Sequence, residues 1–288
     1  MAETASLSQF ATVPLRARHG SRLVQALGRH ALTAMALVCI AYLLAPIVMM
    51  VVLSFNKTVG RFDYVWNSFA IDAWLRPFAI DGLGSALEIS ILLALVVASL
   101  ATAIGTGMAY AQVRYSFLGQ RLLDIILLLT VATPEVIAGS ALLKIYLDLR
   151  LPLGPLTILL SHVMFDIAFV AIVVKSRLRG FDITLEHAAM DLGARGPRVF
   201  RLITLPLILP AVITAWLLAF MLSLDDFIIS NFVSGATVTF PLFVWGTARV
   251  AMPPQIYVIG TAVFFILSLL MLGSFLLERR RSQARSPA

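Results

Sequence analysis

Leu185-Glu186-His187-Ala188-Ala189-Met190-Asp191-Leu192-Gly193, followed nine residues later by Ile203-Thr204-Leu205-Pro206, is a polar, glycine-broken stretch set between long apolar runs. Soluble helices held between membrane spans call for something that docks on them. The whole segment 176–205 reads as two short helices. Asp182 or Thr184 caps the first by accepting a backbone N–H, and Gly193 stops it in a left-handed conformation. Pro197 suits the first turn of the second helix, where its missing N–H costs nothing. Pro206 and Pro210 then open the next apolar run close to its start, where the backbone is least disturbed.

On either side of this segment the chain is hydrophobic. An apolar share of 60% against 13% charged residues, with mean hydropathy +0.95, excludes an ordinary soluble domain. About twenty apolar residues cross a bilayer core. Six runs reach that length, at 31–55, 85–113, 122–146, 154–174, 207–224 and 256–277. The expectation is an all-α membrane protein, a six-span helical bundle. The transmembrane domain covers 31–278, with tails over 1–30 and 279–288. Within the second run, Ala101, Gly105 and Ala109 stand four residues apart, the small-residue pattern that lets a neighbouring helix approach closely. No internal repeat of the inverted-transporter kind is visible.

The net charge of +7 does not indicate nucleic acid, because the basic residues follow the loops. Of the 22 Lys and Arg, sixteen fall at the N-terminus, between runs two and three, between runs four and five, or after run six. The other six, Lys57, Arg61, Arg76, Lys144, Arg150 and Arg249, fall on the opposite side. The positive-inside rule then places both termini in the cytoplasm, with anionic lipid as the further contact of the basic side. The basic lead and apolar run at the N-terminus also suggest a signal peptide, but the run is long and lacks a small-x-small cleavage site, which favours an uncleaved anchor. Cys39, the single cysteine, lies inside the first run and leaves no disulfide within one chain.

A carboxylate at mid-bilayer costs roughly 2.5–3.5 kcal/mol on insertion scales, so each needs a reason. Glu135, just after Pro134, and Asp166 fall near the middle of their runs, and Asp225 and Asp226 at the outer end of the fifth. Lys144 is the only cation placed well inside a run. Two readings stand. The acids line a path for a cation, or they are structural, each bonded to Ser, Thr or a backbone freed by proline. His19, His30 and His162 are scattered without metal spacing, and packed or interfacial roles are preferred for them. No metal site and no cofactor is expected. None of the three lysines follows a glycine, so the chain has no P-loop and is read as a non-catalytic subunit.

The opening segment resembles the signature loop of the membrane subunits of ABC importers: two alanines, three residues, a glycine, nine residues, then Ile-x-Leu-Pro. The resemblance implies a fold similar to the type I importer permeases and a loop that enters a groove on an ATPase subunit. Glu186, His187, Ala188, Ala189, Gly193, Ile203, Leu205 and Pro206 would be the coupling residues. His187 stands where that family carries Glu, so either Glu186 takes over the missing carboxylate or the contact is weaker in this chain. Ser223-Leu224-Asp225-Asp226-Phe227-Ile228-Ile229-Ser230-Asn231-Phe232-Val233-Ser234-Gly235, Pro134-Glu135-Val136-Ile137 and Trp216-Leu217-Leu218-Ala219-Phe220 are similar to the polyamine branch of these permeases. That likeness implies import of putrescine or spermidine from a periplasmic binding protein across a bacterial inner membrane. It also implies two copies of an ATPase and a sister permease. Another cationic or small organic solute is the alternative, and a carrier or channel working alone is a weaker one.

Overall fold

The computed structural model describes residues 22–61 and 64–283. Most of the expected N-terminal tail, and residues 284–288 of the C-terminal one, lie outside them. Contacts divide the chain into two units, one up to Met49 and one from Met50 onward. The first consists of the N-terminal part of α1 (Arg22–Leu53), with Pro46 inside the helix. All other elements belong to the second unit. No strand occurs among the described residues, where only a bridge between Asn56 and Phe69 breaks the helical pattern.

The core of the second unit is three helices, α3 (Leu83–Arg114), α6 (Pro155–Arg179) and α9 (Leu205–Asp225). Ala98, Ala101 and Ala109 of α3 meet Val170, Val174 and Leu178 of α6 and Ile208, Ala215 and Ala219 of α9, all fully buried. The small-residue pattern is the cause of this close approach. A Cβ on Gly105 would sit 2.7 Å from Val170 Cγ1 and 3.0 Å from the Ile167 carbonyl oxygen.

Among the described residues, five helices are long and apolar enough to cross a membrane, or six if one bent pair counts as a span. The bent pair occupies the third run, expected at 122–146. Here α4 (Gln120–Ala132) and α5 (Glu135–Asp148) meet at 109°. Each is about 20 Å long at 1.5 Å per residue, less than the roughly 30 Å of a hydrocarbon core. Pro134 is the reason. It has no N–H to continue the ladder, and it drives Thr133 into an extended conformation with φ −74° and ψ 128°.

The fifth span is revised. Rather than starting at 207, the helix already runs from Gly196 through α8 (Gly196–Val199) and a wide turn at Phe200–Thr204 into α9, thirty residues in all. The wide turn lies just before Pro206, which cannot donate the next ladder hydrogen bond. At its far end the helix breaks at Asp226 and resumes as α10 (Ile228–Val233), followed by α11 (Phe240–Ala248) and α12 (Pro254–Gln283). The short α10 is packed on α5 and α6. A Cβ on Gly139 would lie 2.6 Å from the Phe232 ring, and Thr157 Oγ1 donates to the Val233 carbonyl at 2.7 Å.

Gly105→Ala is expected to destabilise the purified chain by about 1–3 kcal/mol through overpacking against Val170. Gly107→Ala, where nothing lies within 4 Å of the added carbon, should be close to neutral. Thermal unfolding in detergent reads both, and an unchanged midpoint for Gly105→Ala would contradict the close approach.

Candidate functional site

Four carboxylates from three separate parts of the chain line one cavity. Its volume is about 420 Å³, and Glu135, Asp166, Asp225 and Asp226 share it with His162, Phe165, Phe169 and Phe227. Each acid arrives by a different local route. Glu135 is the first residue of α5, directly after the Pro134 break, where the helix N-terminus offers partial positive charge to an anion. Asp166 lies about 17 Å along α6 from Pro155, counting 1.5 Å per residue. It is 3% exposed, and its Oδ2 has no hydrogen-bond partner among the described residues. Asp225 ends α9 and is exposed to the cavity.

Asp226 is placed differently from the other three. Its Oδ2 accepts from the Ser230 backbone N–H at 2.8 Å and its Oδ1 from that of Ile229 at 3.3 Å, so it caps α10. Oδ2 also lies 3.0 Å from Nε2 of His162. That histidine, 4% exposed, is a member of the site that the sequence reading assigned to packing. One signal was present: His162 and Asp166 are four residues apart in a helix, and so share a face. Lys144, the cation expected inside a span, pairs with Asp148 at 2.7 Å on an exposed face and does not reach the cavity. Beside the cavity lies a second chamber of about 360 Å³, apolar and aromatic, which shares Asp225 and Phe227 with it and adds Trp245 and Phe240.

The polar segment at the other end of α9 folds as anticipated in its caps. Asp182 Oδ1 accepts from the Thr184 N–H at 3.0 Å, and that bond holds the exposed Asp182 carboxyl below its usual pKa. The helix it opens is α7 (Thr184–Asp191). Gly193 follows with φ +87°, and the closing pair of bonds, Ala194 N–H to Ala189 O and Gly193 N–H to Met190 O, is a complete Schellman motif. His187 and Ala188 are exposed and Ala189 is half-buried. Leu185, Met190 and Leu192 are exposed apolar side chains on the same short helix and its end.

Of the two alternatives for Glu186, its position tells against the first. It does not take the place of the missing surface carboxylate, because it points inward and is 2% exposed. Arg114, the last residue of α3, places Nη2 3.0 Å from its Oε1 and Nε 2.9 Å from its Oε2. Thr204 Oγ1 donates to the same Oε1 at 2.8 Å. One buried carboxylate therefore joins α3, α7 and the wide turn before α9. Of the remaining coupling residues, Ile203 and Leu205 are half-buried and Pro206 is exposed. On the same side, Lys175 of α6 pairs with Asp124 of α4.

With this geometry in hand, comparison with known proteins is informative. Residues 101–283 match the family described as binding-protein-dependent transport system inner membrane component. The chain belongs to that family. It is 35% identical over 243 residues to the spermidine/putrescine transport system permease protein PotC of Haemophilus influenzae, covering 84% of this chain and 94% of the relative. It is 38% identical over 230 residues to the putrescine transport system permease protein PotI of Escherichia coli K12, covering 77% and 81%. Its fold matches a chain of a bacterial ABC transporter involved in import of the acidic polysaccharide alginate. That match has a TM-score of 0.63 at 18% identity over 90% of this chain and 98% of the other. A methionine ABC transporter, MetNI, gives 0.55 at 14% identity over 71% and 96%. The protein is thus an inner-membrane permease component of a transport system, with the importer permease fold.

Glu186→Ala would strand the Arg114 guanidinium in a buried position, at a cost of about 3–5 kcal/mol. Thr204→Val removes one neutral donor and should cost about 1 kcal/mol. Detergent melts of the two variants, in a cycle with Arg114→Met, check this. If Glu186→Ala is no more damaging in the presence of Arg114 than in its absence, the pair does not hold the segment.

Proposed function

We propose that this chain is the transmembrane permease subunit of an ATP-driven importer, passing polyamines such as putrescine or spermidine delivered by a periplasmic binding protein. The single observation that carries the substrate class is the gathering of Glu135, Asp166, Asp225 and Asp226 on one cavity. Unpaired anions there are costly, and a passing dication offsets that cost by charge pairing. The other lining groups suit the rest of such a molecule. Phe165, Phe169 and Phe227 offer ring faces to ammonium groups and apolar surface to the methylene stem. The names of the PotC and PotI relatives support the same substrate class.

Energy enters at α7. The exposed Leu185, Ala188 and Leu192, with the half-buried Ala189 beside them, form a small apolar face that an ATPase groove can accept. Two ATPase copies, a sister permease and the binding protein complete the assembly, and both termini lie in the cytoplasm. Closure of the ATPases moves α7. The buried Glu186 passes that displacement to α3 and to the helix that ends at Asp225, so the cavity opens alternately to the two sides.

Two experiments test the reading. Asp225→Asn and Glu135→Gln keep shape and remove charge, and each is expected to lower labelled putrescine uptake into vesicles by about tenfold, per assembled complex, for the loss of one close charge pair. Full uptake in both variants would leave the acids as scaffold. Ala189→Trp overfills the docking face and is expected to release the ATPase from the purified complex while the permease stays inserted. Undisturbed co-purification would remove α7 from the contact.

A further inference from the structure

The acid cavity is held in shape by a residue that carries no negative charge. His162 lies about 10 Å along α6 from Pro155, counting 1.5 Å per residue, and its two ring nitrogens reach three separate places. Nδ1 is 2.8 Å from Ser223 Oγ on α9. Nε2 is 3.0 Å from Asp226 Oδ2 at the break and 3.1 Å from Ser230 Oγ on α10. An ionised carboxylate only accepts hydrogen bonds, which assigns the proton to Nε2. In the neutral ring Nδ1 then accepts from the Ser223 hydroxyl.

These contacts engage both oxygens of Asp226. Both of its oxygens accept backbone N–H groups of α10, and the one nearer His162 takes the imidazole as well. Its side chain is 9% exposed. The other acids differ. Asp166 keeps a buried oxygen without a partner among the described residues, and Asp225 and Glu135 are exposed where they line the cavity. The outer part of α6 also holds the other end of α10, through Thr157 and the Val233 carbonyl. Helix α10 is therefore gripped at both ends by α6, and His162 is the grip nearer the cavity.

We propose that His162 is a positioning residue: it fixes Asp226 as the cap of α10, so that Asp226 shapes the cavity while Asp166, Asp225 and Glu135 are the carboxylates that meet the cation. The second half of this assignment rests on the polyamine reading, and the first does not. In the sequence the four acids look equivalent, but the imidazole separates one of them from the rest.

The test uses the full assembled complex in lipid, with His162→Leu, His162→Gln, Asp226→Asn and the Leu/Asn double variant. Hydrogen exchange at the Ile229 and Ser230 amides reads the cap without any substrate. It is expected to rise about tenfold in His162→Leu, as a charge-assisted bond and its network are lost. His162→Gln, whose amide can still donate toward Asp226, should recover much of the protection and of the uptake, which a role limited to filling space would not allow. For putrescine uptake per assembled complex, the double variant should be no worse than the poorer single variant, because both changes act on one interaction. Unchanged exchange in His162→Leu would overturn the cap. Multiplying losses in the double variant would overturn the separation of Asp226 from the cation. A wild-type complex that moves no polyamine would overturn the substrate reading, and the exchange measurement would still decide the role of His162.

Discussion

Helix ends inside a low-dielectric region carry unpaired backbone groups and partial charges that must be met close by, and the site is built around that constraint. Three charged side chains meet it with the favourable sign. Glu135 stands at the start of α5, Asp226 at the start of α10, and Arg114 at the end of α3. Asp166, in the middle of α6, and Asp225, at the C-terminal end of α9, do not. The helix gives nothing back for the burial of Asp166, and at Asp225 the helix end itself opposes a negative charge. They are the acids for which a cation from outside is the most economical explanation.

The same constraint accounts for how the short, polar segment between α6 and α9 is tied down. Its first helix is capped by Asp182, closed at Gly193 and tied from beneath by Glu186 to Arg114 and Thr204. The helix from Gly196 to Asp225 then runs thirty residues, about 45 Å at 1.5 Å per residue, with its wide turn at Phe200–Thr204. One rod thus has the exposed segment at one end and the acid cavity at the other.

Much of this was legible in the sequence. The apolar runs, the small-residue face of α3, the caps of α7 and the left-handed glycine all follow from rules that act within a few residues. The four acids were also found, because charge in a hydrophobic run is conspicuous wherever it points. What escaped was direction. Whether Glu186 faces a partner or the core depends on Arg114, seventy-two residues earlier. The role of His162 depends on Ser223 and Asp226, more than sixty residues later. The Pro134 bend was readable as a disturbance, but its 109° angle is set by how α5 packs on α10.

Two glycines that look alike in the chain are constrained by different physics. Around Gly193 there is empty space, and only its torsion angle, φ +87°, excludes other residues. At Gly105 the torsion is ordinary for a helix, and only the neighbouring α6, through Val170 and the Ile167 carbonyl, excludes them. The first position admits asparagine, which enters left-handed conformations readily whatever its bulk. The second rejects asparagine and yields only if its neighbour shrinks at the same time. Drift at Gly193 can proceed alone, whereas drift at Gly105 has to be concerted with a residue on another helix.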